Sequence, residues 1–149
     1  IGVFDAQWIP TILETLRDLG SRHVLVVAAD DGLDEISISA DTHVGELKKG
    51  KLSFYQVSPS DFGIDRQADF TALQVDSAAA SLELLKQSLD YSNKAAGDIV
   101  ALNAGAAIYA AQLASSLVDG VEMAKSVLDS GEALAKLEEL VTFTQRQGF

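Results

Sequence analysis

His23-Val24-Leu25-Val26-Val27-Ala28 is a short, β-branched run with no polar alternation, and Asp30-Asp31-Gly32-Leu33 breaks it. Such a run suits a strand buried on both faces, as in the sheet of an α/β protein. Upstream, Asp5 is a good helix N-cap and Gly20 a good stop after Leu19. Between them Ile9, Ile12, Leu13, Leu16 and Leu19 recur at three- and four-residue spacing, which predicts an amphipathic helix. Pro10 falls near its first turn, where proline is tolerated. Downstream, Glu35-Ile36-Ser37-Ile38-Ser39 alternates as a strand does, and Thr42 to Leu47 does so less cleanly. Lys48-Lys49-Gly50-Lys51 reads as a turn and Leu52 to Val57 as the return strand of a hairpin.

From Asp76 onward the period becomes helical. Leu82, Leu85 and Leu89 mark one stripe, and Asp98 to Leu117 is rich in alanine, a strong helix former. Asp119 is placed to cap a further helix running through Leu128, and Ser130 another running through Thr144. Strands in the first half followed by helices in the second predict an α/β or α+β domain. No internal repeat occurs, and no linker divides the chain into independent parts.

The 149 residues suffice for one domain with its own core, and 48% apolar with 22% charged residues is ordinary for a soluble globular protein. The formal net charge of −11 argues against nucleic acid or an anionic membrane as partner, since both require clustered Lys and Arg. It also disfavours a phosphorylated substrate unless a cation or local basic site intervenes. The chain has no cysteine, which excludes disulfides, thiolate nucleophiles and cysteine-based metal sites and fits a cytoplasmic setting. Ala104 to Ala111, its longest nearly continuous apolar stretch, is far shorter than a bilayer span. Opening on Ile1 without a signal-like segment, the chain reads as entered in mid-protein.

The most suggestive local feature is Asp30-Asp31-Gly32-Leu33-Asp34-Glu35, directly after the apolar strand. Ligands of α/β sheets gather beyond the carboxyl ends of strands. Oxygen donors without cysteine or paired histidines favour a hard ion such as Mg²⁺, for which Asp34 and Glu35 would suffice beside substrate phosphates. A solvated acidic turn bending at Asp31-Gly32 explains the same residues. Acid/base catalysis by paired carboxylates has little support, because neighbours in one turn do not flank a substrate from two sides. His23 and His43 read as ordinary strand-edge residues, with no HExxH-like partner. Asn103 in Asn103-Ala104-Gly105-Ala106-Ala107 belongs to a stretch of small residues suited to close helix packing, or alternatively braces a nearby site. No phosphate-cradling glycine loop is present, and Lys48, Lys49 and Lys51 read as a solvated hairpin tip. From the residues alone the reading is an α/β domain with a candidate Mg²⁺ site.

An ordered set of stretches resembles the anthranilate phosphoribosyltransferase family. It comprises Gly2-Val3-Phe4, Leu19 to Val27, Asp31-Gly32-Leu33-Asp34-Glu35-Ile36-Ser37, Thr42-His43-Val44, Glu46-Leu47, Pro59, Asp61-Phe62-Gly63, Leu102 to Ala107 and Ser130 to Leu137. DGLDE alone is a weak signal; the set in order along the whole chain is specific. The resemblance implies transfer of phosphoribosyl from phosphoribosyl diphosphate to the amino group of anthranilate, in tryptophan biosynthesis. It implies part of a nucleoside-phosphorylase/phosphoribosyltransferase-like α/β domain, with Mg²⁺ screening the diphosphate leaving group. Carried over, the family's metal-holding Asp-Glu becomes Asp34 and Glu35, partly through water.

Two departures accompany the resemblance. Many family members carry His where this chain has Ala28, so no role rests on that strand end. The family's glycine-rich diphosphate loop, its anthranilate-contacting residues and the helical domain that forms its homodimer lie N-terminal to anything in residues 1–149. The expectation is therefore a C-terminal part of the glycosyl-transferring α/β domain, inactive by itself. A related nucleoside phosphorylase and a non-enzymatic folding or interaction module are the alternatives.

Overall fold

In the computed structural model, which describes residues 1–146, the apolar run lies in strand β1 (His23–Ala29). It is covered on both faces and flanked on both edges. Antiparallel β2 (Thr42–Lys48) pairs with it in the register Val26↔Gly45. Along the other edge Gly2 bridges Val27 in parallel, with Val3 N–H donating to the Val27 carbonyl at 2.9 Å. Strand β3 (Lys51–Val57) pairs antiparallel with β2, giving the order β1-β2-β3. The expected hairpin is present. Lys49 and Gly50 both take positive φ, the backbone of a two-residue turn that matches strand twist.

The two faces of β1 feed two cores. Leu25 and Val27 pack with Val44, Leu102, Tyr109 and Val121 under the helical half. Val26 and Ala28 pack with Ile9, Leu13 and Leu47 beneath helix α1 (Ile9–Asp18). Leu13 and Leu102 are fully buried, and each such side chain contributes on the order of 1.5–3 kcal/mol. Asp5 caps as expected, though its carboxylate accepts from Gln7 N–H at the head of a 3-10 turn, Ala6–Trp8, that leads into α1. Pro10 sits in the first turn of α1, and Gly20 follows its end at positive φ.

The segment Glu35 to Ser39 departs from expectation: it alternates in sequence but is not a strand. Side chains take the backbone groups that a ladder would use. Ile36 N–H donates to Asn103 Oδ1 at 2.9 Å and Ser37 N–H to Thr42 Oγ1 at 3.1 Å. The alternation still has a physical meaning, since Ile36 and Ile38 both point into the core.

Four helices follow: α2 (Ala78–Leu89), α3 (Lys94–Ala110), α4 (Leu117–Asp129) and α5 (Glu132–Arg146). Their caps fall near, not on, the expected residues. Ser77 caps α2 and Asn93 caps α3, which therefore starts before Asp98 and ends at Ala110, short of Leu117, which instead opens α4. Ser116 caps α4, leaving Asp119 in its first turn, where a carboxylate favours the positive end of the helix dipole. Ser130 closes α4, and Gly131 at positive φ separates it from α5. Helices α3 and α4 touch backbone to backbone: a Cβ on Gly105 would meet Val121 N at 2.6 Å, and one on Gly120 would collide with the Gly105 carbonyl. Among the described residues no helix is long and apolar enough to cross a membrane.

Candidate functional site

The acidic turn leaves the carboxyl end of β1, and its carboxylates divide by direction. Asp31 turns inward. It accepts from Ser37 Oγ and Ser39 Oγ at 2.5 Å each and from Leu33 N–H at 3.2 Å. Partial burial pushes its pKa up, but these hydrogen bonds together prevail and hold the carboxyl below the ordinary aspartate value. Asp30 points to the surface, where its Oδ1 lies 2.9 Å from Nε2 of His43. Asp34 and Glu35 are exposed, and neither has a Lys or Arg partner among the described residues.

Asp34 and Glu35 line one cleft of about 770 Å³, shared with His23, Val27, Asn103 and Ala107. Two elements hold the dipeptide. On one side Gly2 lies so close that a Cβ there would collide with the Asp34 carbonyl oxygen. On the other, Asn103 reaches from α3 with both ends of its amide engaged. Its Nδ2 lies 3.0 Å from the Ile36 carbonyl, 3.0 Å from the Ile99 carbonyl and 3.4 Å from Glu35 Oε2, while Oδ1 takes the Ile36 N–H. Of the two sequence readings of Asn103, bracing describes this side chain, whereas close packing describes its neighbour Gly105.

No cluster of three or more metal-ligating side chains occurs among the described residues. Two adjacent, exposed carboxylates facing a cleft nevertheless suit a hard cation that keeps several waters and takes its remaining oxygens from a substrate's phosphates. They do not suit zinc, whose sites take three or four protein side chains with histidine or cysteine among them.

A second polar cluster went unseen in the sequence. Glu46 Oε1 accepts from Tyr109 OH at 2.8 Å and lies 2.9 Å from His23 Nε2; its Oε2 accepts from Tyr55 OH at 3.1 Å. Lys48 Nζ donates to Tyr109 OH at 2.8 Å and stands 4.4 Å over the same ring. His23 is thus a buried partner of Glu46 and not an ordinary strand-edge residue, with its side chain 3% exposed. Lys48 likewise leaves the solvated hairpin tip, while Lys49 and Lys51 remain in it. The signal available was Glu46 two residues from Val44, on the same core-facing side of β2. Burial pushes the Tyr55 hydroxyl pKa up, and the neighbouring Glu46 charge adds to it.

Comparison with known proteins places this arrangement. The model of the "Glycosyl transferase family, a/b domain" matches residues 1–134. An anthranilate phosphoribosyltransferase of Hahella chejuensis is 53% identical over 148 residues, covering 97% of this chain. A crystal structure of anthranilate phosphoribosyltransferase from Thermus thermophilus superposes with a TM-score of 0.86 at 36% identity, over 97% of this chain and 42% of that one. The Saccharomyces cerevisiae enzyme in complex with PRPP and Mg shares the fold, with a TM-score of 0.76 at 21% identity over 92% of this chain and 40% of that one. The chain spans about 42% of the length of the curated relatives it matches. It belongs to the glycosyl transferase family, by its match to the model of that family's α/β domain.

Proposed function

We propose that this chain is the C-terminal part of the glycosyl-transferring α/β domain of an anthranilate phosphoribosyltransferase. The observation that carries the reading is the 53% identity to such an enzyme along 97% of the chain. In the reaction the amino nitrogen of anthranilate forms a bond to C1 of the ribose as the C1–oxygen bond to diphosphate breaks. The amino group gives up a proton, and diphosphate departs. The helical domain, the diphosphate-binding loop and the anthranilate contacts belong to a part of the enzyme outside residues 1–149, and the complete enzyme is a homodimer.

Asp34 and Glu35 are the residues proposed to hold Mg²⁺. Their exposure, their shared cleft and their freedom from basic partners among the described residues support the assignment. Bound there, the ion would neutralise charge on the diphosphate, which matters beside a chain of net charge −11. The protein's share is placement: the end of β1, Gly2 and Asn103 fix where the two carboxylates stand.

The test is a transfer assay on the complete enzyme with Asp34→Ala and Glu35→Ala combined. Turnover is expected to fall by a factor of about 100 or more, as when a transition-state charge stabiliser is lost. The thermal midpoint should change little, because both side chains are exposed. Turnover retained by the folded double variant would overturn the metal assignment, and loss of activity explained by unfolding would count against it. Turnover of a nucleoside with phosphate, instead of anthranilate with phosphoribosyl diphosphate, would overturn the substrate reading.

A further inference from the structure

We propose that Asn103 is the positioning residue of the Asp34–Glu35 pair, an inference that rests on the metal reading above. Its hydrogen bonds divide into two kinds. The pair to Ile36, at 2.9 Å from the N–H and 3.0 Å to the carbonyl, grips the peptide units directly after Glu35. The contact to Glu35 Oε2, at 3.4 Å, is the longest of the set. Three acceptors surround an amide nitrogen with two hydrogens, so the Glu35 contact is the one released most cheaply. The carboxylate can therefore swing from the amide to a cation while the backbone beneath it stays gripped.

The surroundings explain why an amide is needed here. The segment after Asp34 is not a strand and has no ladder to orient it. Ile36 is anchored in the core by its side chain, 2% exposed, which fixes one direction only. Asn103 supplies the second constraint, and the close approach of Gly2 to the Asp34 carbonyl the third. Aspartate at 103 could not donate to the Ile36 carbonyl and would repel Glu35. Alanine would remove the partners that Asn103 gives both Ile36 backbone groups, and an unpaired backbone group away from water is costly. Residues that orient metal-holding side chains from behind typically change metal affinity 10–100-fold when replaced.

The experiment titrates Mg²⁺ calorimetrically onto the complete enzyme saturated with phosphoribosyl diphosphate, with no anthranilate present. Asn103→Ala should weaken apparent Mg²⁺ binding by at least about tenfold, and saturating Mg²⁺ should restore most of the turnover number. Hydrogen exchange at the Ile36 amide should quicken in the same variant. Asn103→Ser supplies the reading if the alanine variant does not fold: a serine hydroxyl can bond back to Ile99 within α3 but cannot span both Ile36 groups. Unchanged Mg²⁺ affinity in a folded variant overturns the proposal. Asp34→Asn with Glu35→Gln separates the two failures. If that pair weakens Mg²⁺ binding and the Asn103 variants do not, only the role of Asn103 falls. If the pair has no effect either, the metal reading falls and takes this inference with it.

Discussion

Of the acidic side chains in the turn after β1, Asp31 is the one that points into the protein, and its chemistry follows from that. Two serine hydroxyls and the Leu33 amide stabilise its ionised form, so the folded pKa lies below the unfolded one. A lowered pKa contributes stability above the unfolded value, and that contribution is lost as pH falls through the folded value. Asp31→Asn should therefore destabilise the fold by about 1–2 kcal/mol near neutral pH, the low end of the scale of hydrogen bonds to a charged group because solvent screens a partly exposed carboxylate. The difference from the parent should shrink once pH drops below about 4, where the unfolded aspartate is itself protonated. Urea unfolding of both proteins across that range reads it; a difference independent of pH would show that the charge is not what the serines hold. Sequence alone left Asp30, Asp31, Asp34 and Glu35 indistinguishable beyond their turn setting. What separates them is the direction each side chain takes, and that depends on Ser37 and Ser39 for Asp31 and on Asn103, 68 positions further along the chain, for Glu35.

Among the elements, α3 carries most of the tertiary information. Its alanine-rich composition made the helix plain, and the apolar run of β1 made the central strand plain, because both signals are local. The Glu35–Ser39 segment misled for the opposite reason: its alternation reported burial correctly, while its backbone partners came from α3 and from Thr42. Helix starts slipped by a few residues where two capping candidates lay close together, as with Ser116 and Asp119. Small residues of α3 also set its distance to α4. Gly105→Ala decides whether that contact limits the fold, since propensity and packing have opposite signs. In an open helix the change would stabilise by about 0.8–1 kcal/mol. Here the new Cβ meets Val121 backbone at 2.5 Å, and overpacking of that kind costs about 1–3 kcal/mol. A net loss of stability in denaturant unfolding is expected; a gain would mean that α3 and α4 can separate without penalty.

On the scale of the whole molecule, charge and coverage lead to the same prediction. A chain of net charge −11 that presents two unpaired carboxylates to its cleft repels a diphosphate unless cations and basic donors from elsewhere outweigh it. Among the described residues no Lys or Arg side chain lines that cleft, and several are engaged elsewhere. Lys48 is engaged with Tyr109, Lys94 with Asp98, Lys125 with Glu122 and the Phe62 carbonyl, and Arg66 with Asp41. A phosphoribosyl diphosphate site would therefore take its anion-binding groups from the other part of the enzyme. Residues 1–149 alone should show negligible Mg²⁺-dependent consumption of anthranilate. Adding a separately produced N-terminal part of the same enzyme should restore it, with the two pieces co-eluting. Fluorescence of anthranilate follows the reaction directly. Turnover by the 149 residues alone would place a diphosphate site within this chain; co-elution without recovered activity would point instead to an interaction module.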